Sequence, residues 1–320
     1  MLYNNDVEAA EALHQKFNEL KKEISKVIVG QNHVVEALLI SIFSNGHTLM
    51  IGLPGLAKTL LVKTLSEVLD LNFNRIQFTP DLMPSDITGT EILNEKREFQ
   101  FLKGPIFSNI ILADEINRTP PKTQAALLEA MQEKAVTING QLHVLPNPFF
   151  VLATQNPIEQ EGTYSLPEAQ LDRFMFNILL DYPSFADEVE IVKATTSNKK
   201  VELSKIIHST EILAFQELVR KAPVADNVID YAVKLVSKTR PQSEFATDEI
   251  KKYVDFGAGP RAGQFLIIGA KAHALIHGKY SPDIENVKAI AKDVLRHRII
   301  KNYRAEAEGI KIEDLIEGIL

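Results

Sequence analysis

The chain of 320 residues contains no cysteine and no tryptophan. Without thiols it can form no disulfide, thiolate nucleophile, cysteine zinc site or iron–sulfur ligation, and redox chemistry is not expected. An excess of positive charge is lacking too. The 35 Lys and Arg face 42 Asp and Glu, a formal net charge of -7, so no global field draws in nucleic acid and such binding would need a local basic patch. No stretch approaches the roughly 20 uncharged apolar residues that span a bilayer, and residues 1–11 lack the basic-then-apolar pattern of a signal peptide. No membrane span and a cytoplasmic location are therefore expected. There is no internal repeat or low-complexity tract. What is present is a globular composition, 45% hydrophobic and 24% charged, long enough for one large domain or two ordinary ones.

Residues 7–27 place Val7, Ala10, Leu13, Phe17, Leu20, Ile24 and Val27 at steps of three and four, the stripe of an amphipathic leading helix. Four short apolar runs follow at 48–51, 110–113, 149–153 and 174–180. Each is continuous rather than alternating, as strands covered on both faces of a parallel sheet are, and helical patterns lie between them. A fifth candidate at 75–79 is more polar and suits a sheet edge. Beyond Asp181-Tyr182-Pro183 helical periods dominate, at 212–221, 226–238, 248–254, 261–277 and 284–298, with Ser281-Pro282-Asp283 as the cap region of the last. Leu127, Leu128 and Met131 follow helical spacing and belong in the core.

The segment Gly52-Leu53-Pro54-Gly55-Leu56-Ala57-Lys58-Thr59 joins the first apolar strand to a helical stretch at 60–69, which is the setting of a phosphate-binding loop. Glycines let backbone N–H groups converge on the anion, the helix N-terminus adds partial positive charge, and a lysine reaches the β and γ phosphates. The pattern wants glycine where Ala57 stands. Near right-handed helical geometry at that position would accommodate the methyl group. Asp114 and Glu115 end the strand at 110–113 and reach the carboxyl edge of the sheet, where ligands of such folds bind. Asp114 suits a magnesium ion, and Glu115 suits the water that attacks a γ phosphate. Thr154-Gln155-Asn156 ends the third run, so Asn156 offers a neutral amide at the same edge.

Five ordered segments together resemble the MoxR family of AAA+ ATPases over nearly the whole chain: Ile28-Val29-Gly30-Gln31; the loop Gly52 to Thr59; Ala113-Asp114-Glu115-Ile116-Asn117-Arg118; Ala153-Thr154-Gln155-Asn156-Pro157; and Leu166-Pro167-Glu168-Ala169-Gln170-Leu171-Asp172-Arg173-Phe174. Gly259-Pro260-Arg261 adds to the AAA+ likeness. The resemblance implies an α/β P-loop core with a parallel five-stranded sheet flanked by helices over residues 1–183, plus an all-α lid domain over 184–320. It implies ATP and Mg2+ as ligands. Gly52, Pro54, Gly55, Leu56, Ala57, Lys58, Thr59 and Leu60 would contact the nucleotide, Thr59 and Asp114 the metal, and Val29, Gly30 and Gln31 the adenine. Glu115 would be the catalytic carboxylate, Asn156 the first sensor, Arg173 an arginine finger reaching a neighbouring subunit, and Arg261 the second sensor, in its own site or the next. A homo-oligomer, a hexameric ring, follows, with a protein client such as a von Willebrand A domain protein.

Two insertions resemble the hairpins of the clade that also holds magnesium chelatase motors and MCM helicases. One spans 91–102 around Asn94-Glu95-Lys96-Arg97, the other 136–144 around the turn signal Asn139-Gly140. The second tip carries no Lys or Arg, which disfavours tracking on DNA, while Lys96 and Arg97 keep it open. Three functions stand: a protein-remodelling ATPase, a nucleic-acid motor, and a nucleotide-gated scaffold that does not hydrolyse. Three other signals are expected to be bland. His273 and His277 have the spacing of two zinc ligands, but Ala274 stands where a zincin needs glutamate, and they are expected to be ordinary helix histidines. Gly257, Gly259 and Gly263 mark a helix-entry loop. Arg296, Arg298, Lys301 and Arg304, balanced by Glu306 and Glu308, are expected on a solvated helix face.

Overall fold

A computed structural model describes residues 2–93, 95–158, 162–197 and 201–320. Asn94, at the tip of the first expected hairpin, lies outside the described residues. The chain begins with α1 (Asp6–Ile24) and α2 (Asn32–Phe43), followed by β1 (Thr48–Gly52), α3 (Lys58–Val68), β2 (Phe73–Gln77) and a short α4 (Pro84–Thr88). The hairpin β3 (Gly89–Leu93) and β4 (Phe99–Lys103) precedes β5 (Ile110–Asp114) and α5 (Pro121–Glu133). A second hairpin, β6 (Ala135–Ile138) and β7 (Gln141–Val144), leads to β8 (Phe150–Gln155), α6 (Glu168–Leu171) and β9 (Phe176–Leu180). Helices then take over: α7 (Phe185–Thr195), α8 (Ser209–Lys221), α9 (Asp226–Lys238), α10 (Asp248–Tyr253), β10 (Val254–Phe256), α11 (Pro260–Ile276), α12 (Ile284–Leu295), β11 (Ile300–Lys301), α13 (Tyr303–Ala307) and α14 (Ile312–Glu317).

The expected five-stranded parallel sheet is present, in the order β2-β5-β8-β1-β9. The polar strand β2 is at its edge, as its composition requires. Alternate side chains of the inner strands enter two cores. Met50, Ile110, Leu112, Phe150 and Leu152 face α1, α2, α3 and the C-terminal helices, whereas Leu49, Ile111, Ala113, Val151 and Ala153 face Leu127, Leu128 and Met131 of α5. Both faces are thus dry, which is why these strands read as unbroken apolar runs. The second half differs from an all-α unit by one short antiparallel pair, β10 with β11. The last long helix stops at Leu295, and a 3-10 turn covers 296–298.

Both hairpins form, and Asn139 and Gly140 adopt the positive φ values, 48° and 82°, that the tight turn needs. They pack on each other. Phe101 stacks on His143 with ring centroids 4.0 Å apart, and Asn139 Nδ2 donates to Glu91 Oε2 at 2.6 Å. Helix α2 has no sequence signal of its own because it is apolar almost all round: Leu38, Leu39, Ile42 and Phe43 are each fully buried.

Arg296 and Arg298 do not line a solvated face. Arg298 is buried, with its Nε 2.7 Å from Asp172 Oδ1 and its Nη2 donating to the carbonyls of Asp172 (3.0 Å) and Phe174 (2.6 Å). Arg296 pairs with Asp293 and Glu313 and reaches the carbonyl of Asn177. Arg296 and Arg298 therefore form a polar clamp between the end of α12 and the turn that enters β9, whereas Lys301 and Arg304 pair with Glu306 and Glu308 as the sequence suggests. A planar fork can satisfy several acceptors at once, which spacing alone does not reveal.

Candidate active site

Parallel strands β1, β5 and β8 all end at one edge, so residues distant in sequence converge there. Gly52 closes β1, and the loop after it turns into α3 at Lys58. Gly55 has φ 86° and open space where a Cβ would point. Ala57 adopts φ 56° and ψ 23°, in the left-handed region rather than near right-handed helix as the sequence suggested. An alanine there is strained by about 1–2 kcal/mol. The first turn of α3 has no side-chain cap, so its N–H groups are left for an anion. Lys58 Nζ donates to the loop carbonyls of Gly52 (2.5 Å) and Leu53 (3.2 Å). Burial lowers its pKa, while Asp114 and Glu115 act in the opposite direction.

Asp114 ends β5 and is buried. Its Oδ2 accepts from Arg75 Nε at 3.0 Å and Nη2 at 2.6 Å, and its Oδ1 accepts from Thr154 Oγ1 at 2.6 Å. The Thr154 hydroxyl in turn accepts from the Glu115 N–H at 2.9 Å. Glu115 itself has φ 58°, a turn that leaves the strand line directly after Asp114. Its Oε2 accepts from Gln77 Nε2 at 2.9 Å and from Arg118 Nη1 at 3.0 Å. Arg75, Gln77 and Thr154 were not singled out from the sequence. The first two explain why β2 is polar: Gln77 lies opposite Asp114 in the sheet register and Arg75 opposite Leu112.

Asn156 follows β8, whose Gln155 lies opposite Ile51, so it borders the end of β1. It is buried, and its Oδ1 accepts from the Ile158 N–H at 3.2 Å. Beside the loop a cavity of 520 Å³ is lined by Val29, Gln31, Pro54, Gly55, Leu56, Ala57 and Leu60, the residues expected there from sequence, together with Val27, Ile28, Tyr182, Ile191 and Val192. Gln31 Nε2 donates to the Leu56 carbonyl at 3.3 Å, and its buried Oε1 has no partner among the described residues. Gly30 does not line the cavity but sits between Val29 and Gln31, which do. At φ 75° it occupies the left-handed region that favours glycine, and a Cβ there would fall 2.5 Å from Cγ of the Asp187 side chain at the start of α7. The α7 residues carried no motif and were missed.

Arg173 is not brought to this edge. It precedes β9, which runs parallel to β1 with Phe176 opposite Thr48 and Leu180 opposite Gly52, so Arg173 lies at the other end of the sheet from the loop. Its Nη1 donates to the Leu128 carbonyl at 2.7 Å. Arg261, at the start of α11, pairs with Asp172 Oδ2 at 3.2 Å and so shares the end of the sheet where Arg173 lies. Asp172 therefore joins Arg261 and Arg298.

Known proteins fit this arrangement. The sequence family described as ATPase family associated with various cellular activities (AAA) matches residues 47–176, and an AAA lid domain matches 247–319. Chaperone MoxR1 of Mycobacterium tuberculosis is 43% identical over 315 residues, 97% of this chain and 83% of that protein. The uncharacterized protein YeaC of Bacillus subtilis is 40% identical over 312 residues, covering 97% of this chain and 95% of its own. The crystal structure of a provisionally named ATPase from Cytophaga hutchinsonii superposes with a TM-score of 0.91 at 46% identity, covering 98% of this chain and 95% of that one. With the loop, carboxylates, sheet order and helical second half in place, the chain belongs to the MoxR family of AAA+ ATPases.

Proposed function

We propose that this protein hydrolyses ATP at subunit boundaries of a cytoplasmic homo-oligomeric ring, a hexamer, and uses the cycle to remodel or mature a partner protein, with a von Willebrand A domain protein as the candidate client. Residues 1–183 act as the nucleotide-binding unit and 184–320 as the lid. The observation that carries the reading is the separation of Arg173 from Lys58 across the sheet: each site lacks its finger unless a second copy supplies one.

The residues present fit ATP and Mg2+. The uncapped α3 N-terminus and the loop N–H groups suit the phosphates, and Lys58 would exchange the Gly52 and Leu53 carbonyls for phosphate oxygens. The cavity suits the adenine, with the unpartnered Gln31 Oε1 as an acceptor for its amino group. Mg2+, held by Thr59 and Asp114, would neutralise charge on the β and γ phosphate oxygens. Asp114 would then exchange its Arg75 contact for the metal while Thr154 keeps its other oxygen fixed. Glu115 must leave Gln77 and Arg118 before it can take a proton from the attacking water. With Oδ1 of Asn156 engaged by the backbone, its Nδ2 is the end offered to the γ phosphate. A finger from the neighbour would supply the last positive charge.

A protein client is favoured over nucleic acid by the joined hairpins. Phe99 is 73% exposed, Leu142 68% and Val144 72%, a surface that suits apolar protein contacts better than phosphates. The name of the Mycobacterium tuberculosis relative, a chaperone, points the same way. The test is steady-state phosphate release with Glu115→Gln. Turnover should fall by about 10²- to 10⁴-fold while fluorescent ATP analogue binding persists. Equal turnover would remove the assigned base. The same ATP-locked variant should retain a protein on affinity capture; nucleic acid in its place would reverse the choice of client.

A further inference from the structure

His273 and His277 stand at i and i+4 at the end of α11, and the fold brings Glu36 of α2 against both rings. Glu36 Oε1 lies 3.5 Å from His277 Nε2 and 3.8 Å from His273 Nε2, and the three candidate donor atoms lie within 4.8 Å of one another. Two nitrogens and one oxygen around a tetrahedral metal at about 2.0–2.1 Å stand roughly 3.3 Å apart, so a small rotation of side chains closes the site.

The surroundings orient each donor. His277 Nδ1 donates to the His273 carbonyl at 2.8 Å, which in the neutral ring leaves the Nε2 lone pair facing a carboxylate oxygen. Two lone pairs face one another there unless a proton or a metal ion lies between them. The other oxygen of Glu36 accepts from Lys21 Nζ at 3.1 Å, which fixes the carboxylate with Oε1 towards the imidazoles. Phe17 backs His277, with ring centroids 6.1 Å apart. The His273 ring is half-buried. Its Nδ1 lies 2.9 Å from Nδ2 of the buried Asn286, whose Oδ1 accepts from the Asp283 N–H at 2.8 Å. The amide therefore donates to the ring, and the neutral ring carries its proton on Nε2, where a metal ion would replace it.

We propose that Glu36, His273 and His277 form a binding site for a first-row divalent cation of the Zn2+ type, with water as fourth ligand, separate from the nucleotide site. The donor set of two imidazoles and one carboxylate suits Zn2+ and its Co2+ surrogate, not Mg2+, which keeps to oxygen. The bound ion would tie α2, which directly follows Gln31, to α11. Sequence spacing supplied only two donors; the third comes from 237 positions upstream and was visible only in the fold.

The experiment is calorimetric titration with Zn2+ alone on metal-stripped protein, with excess Mg2+ and ADP present so that the nucleotide site is occupied. Wild type should bind one Zn2+ per chain, and Co2+ should give the intense visible bands of a tetrahedral site. His277→Ala, at a half-exposed position that the core does not need, should weaken binding by 100-fold or more, as should His273→Ala. Asn286→Asp, which keeps an acceptor for the Asp283 N–H and adds one for His273, should tighten it by about tenfold. His208→Ala, at the start of α8 against Asp70 and outside the donor set, should change nothing. Absence of Zn2+ binding to wild type at 100-fold molar excess, or equal affinity in wild type and both histidine variants, overturns the proposal.

Discussion

The separation of Arg173 from Lys58 can be tested by mixing two inactive variants. β9 and β1 run in parallel over five paired residues, Thr48 to Gly52 against Phe176 to Leu180. At about 3.3 Å per residue, the two ends of the pairing are roughly 13 Å apart. Arg173 lies beyond one end and Lys58 beyond the other, so the distance exceeds what one side chain spans, and the guanidinium is already held by the Leu128 carbonyl. Lys58→Ala should abolish turnover at its own loop but leave the proposed finger, whereas Arg173→Ala keeps the loop and loses the proposed finger. Loss of a finger lowers turnover by about 10³- to 10⁵-fold. If fingers act across a head-to-tail boundary, an equimolar random mixture restores a complete site wherever an Arg173→Ala loop meets a Lys58→Ala finger, about one boundary in four. Phosphate release should therefore climb from near zero in either variant to about a quarter of the wild-type rate in the mixture. Copurification through two different tags verifies that mixed rings exist. Mixed rings without recovered turnover would refute the geometry, and so would an Arg173→Ala protein with full activity.

Three further outcomes are expected. Gln77→Ala removes a hydrogen bond worth about 1 kcal/mol that holds Glu115 aside, so turnover without a client should rise about fivefold in phosphate release; a fall would mean that Gln77 aids the reaction instead. Arg298→Met leaves the carbonyls of Phe174 and Val294 without their donor, while Asp172 keeps Arg261, and should reduce stability by about 2–3 kcal/mol in urea unfolding, with an unchanged midpoint counting against the clamp. Acidification should weaken the fold between pH 6.5 and 4. His47, buried between Met131 and Val151, has its pKa pushed down to about 4, and burial holds His297 well below its usual range too. In that window the unfolded chain takes up protons that these rings refuse, so unfolding free energy drops with pH, by about 1.4 kcal/mol per unit for His47 alone. Urea midpoints at pH 7.5, 6 and 5 measure the slope, and a flat profile would contradict the burial of these imidazoles.

Much of the candidate site was legible because its parts are local: a glycine loop, a lysine and a helix start are contiguous in sequence from Gly52 to Thr59, and Asp114-Glu115 closes an apolar run. The sheet was legible for the same reason, since strands covered on both faces have to be continuously apolar. Partners brought together by the sheet were not. Gln77 and Arg75 reach the carboxylates only because β2 pairs with β5, and the polarity that marked β2 as an edge strand could have named them. The conformation of Ala57 was misjudged because the loop's closure, not the residue's own preference, sets its φ.

The sequence by itself determined the family, the parallel sheet and the segments that form the glycine loop and the strand-end carboxylates. Only the tertiary structure decided what Arg298 and Arg296 do, because a long guanidinium side chain takes its role from the carbonyls and carboxylates folded against it. Only it decided that Arg173 stands across the sheet from Lys58, because strand order and direction are properties of pairing between distant segments. The union of Glu36 with His273 and His277 belongs to the same group: helix periodicity aligns two donors on one face, but a third must arrive from another helix, and no local pattern encodes that approach.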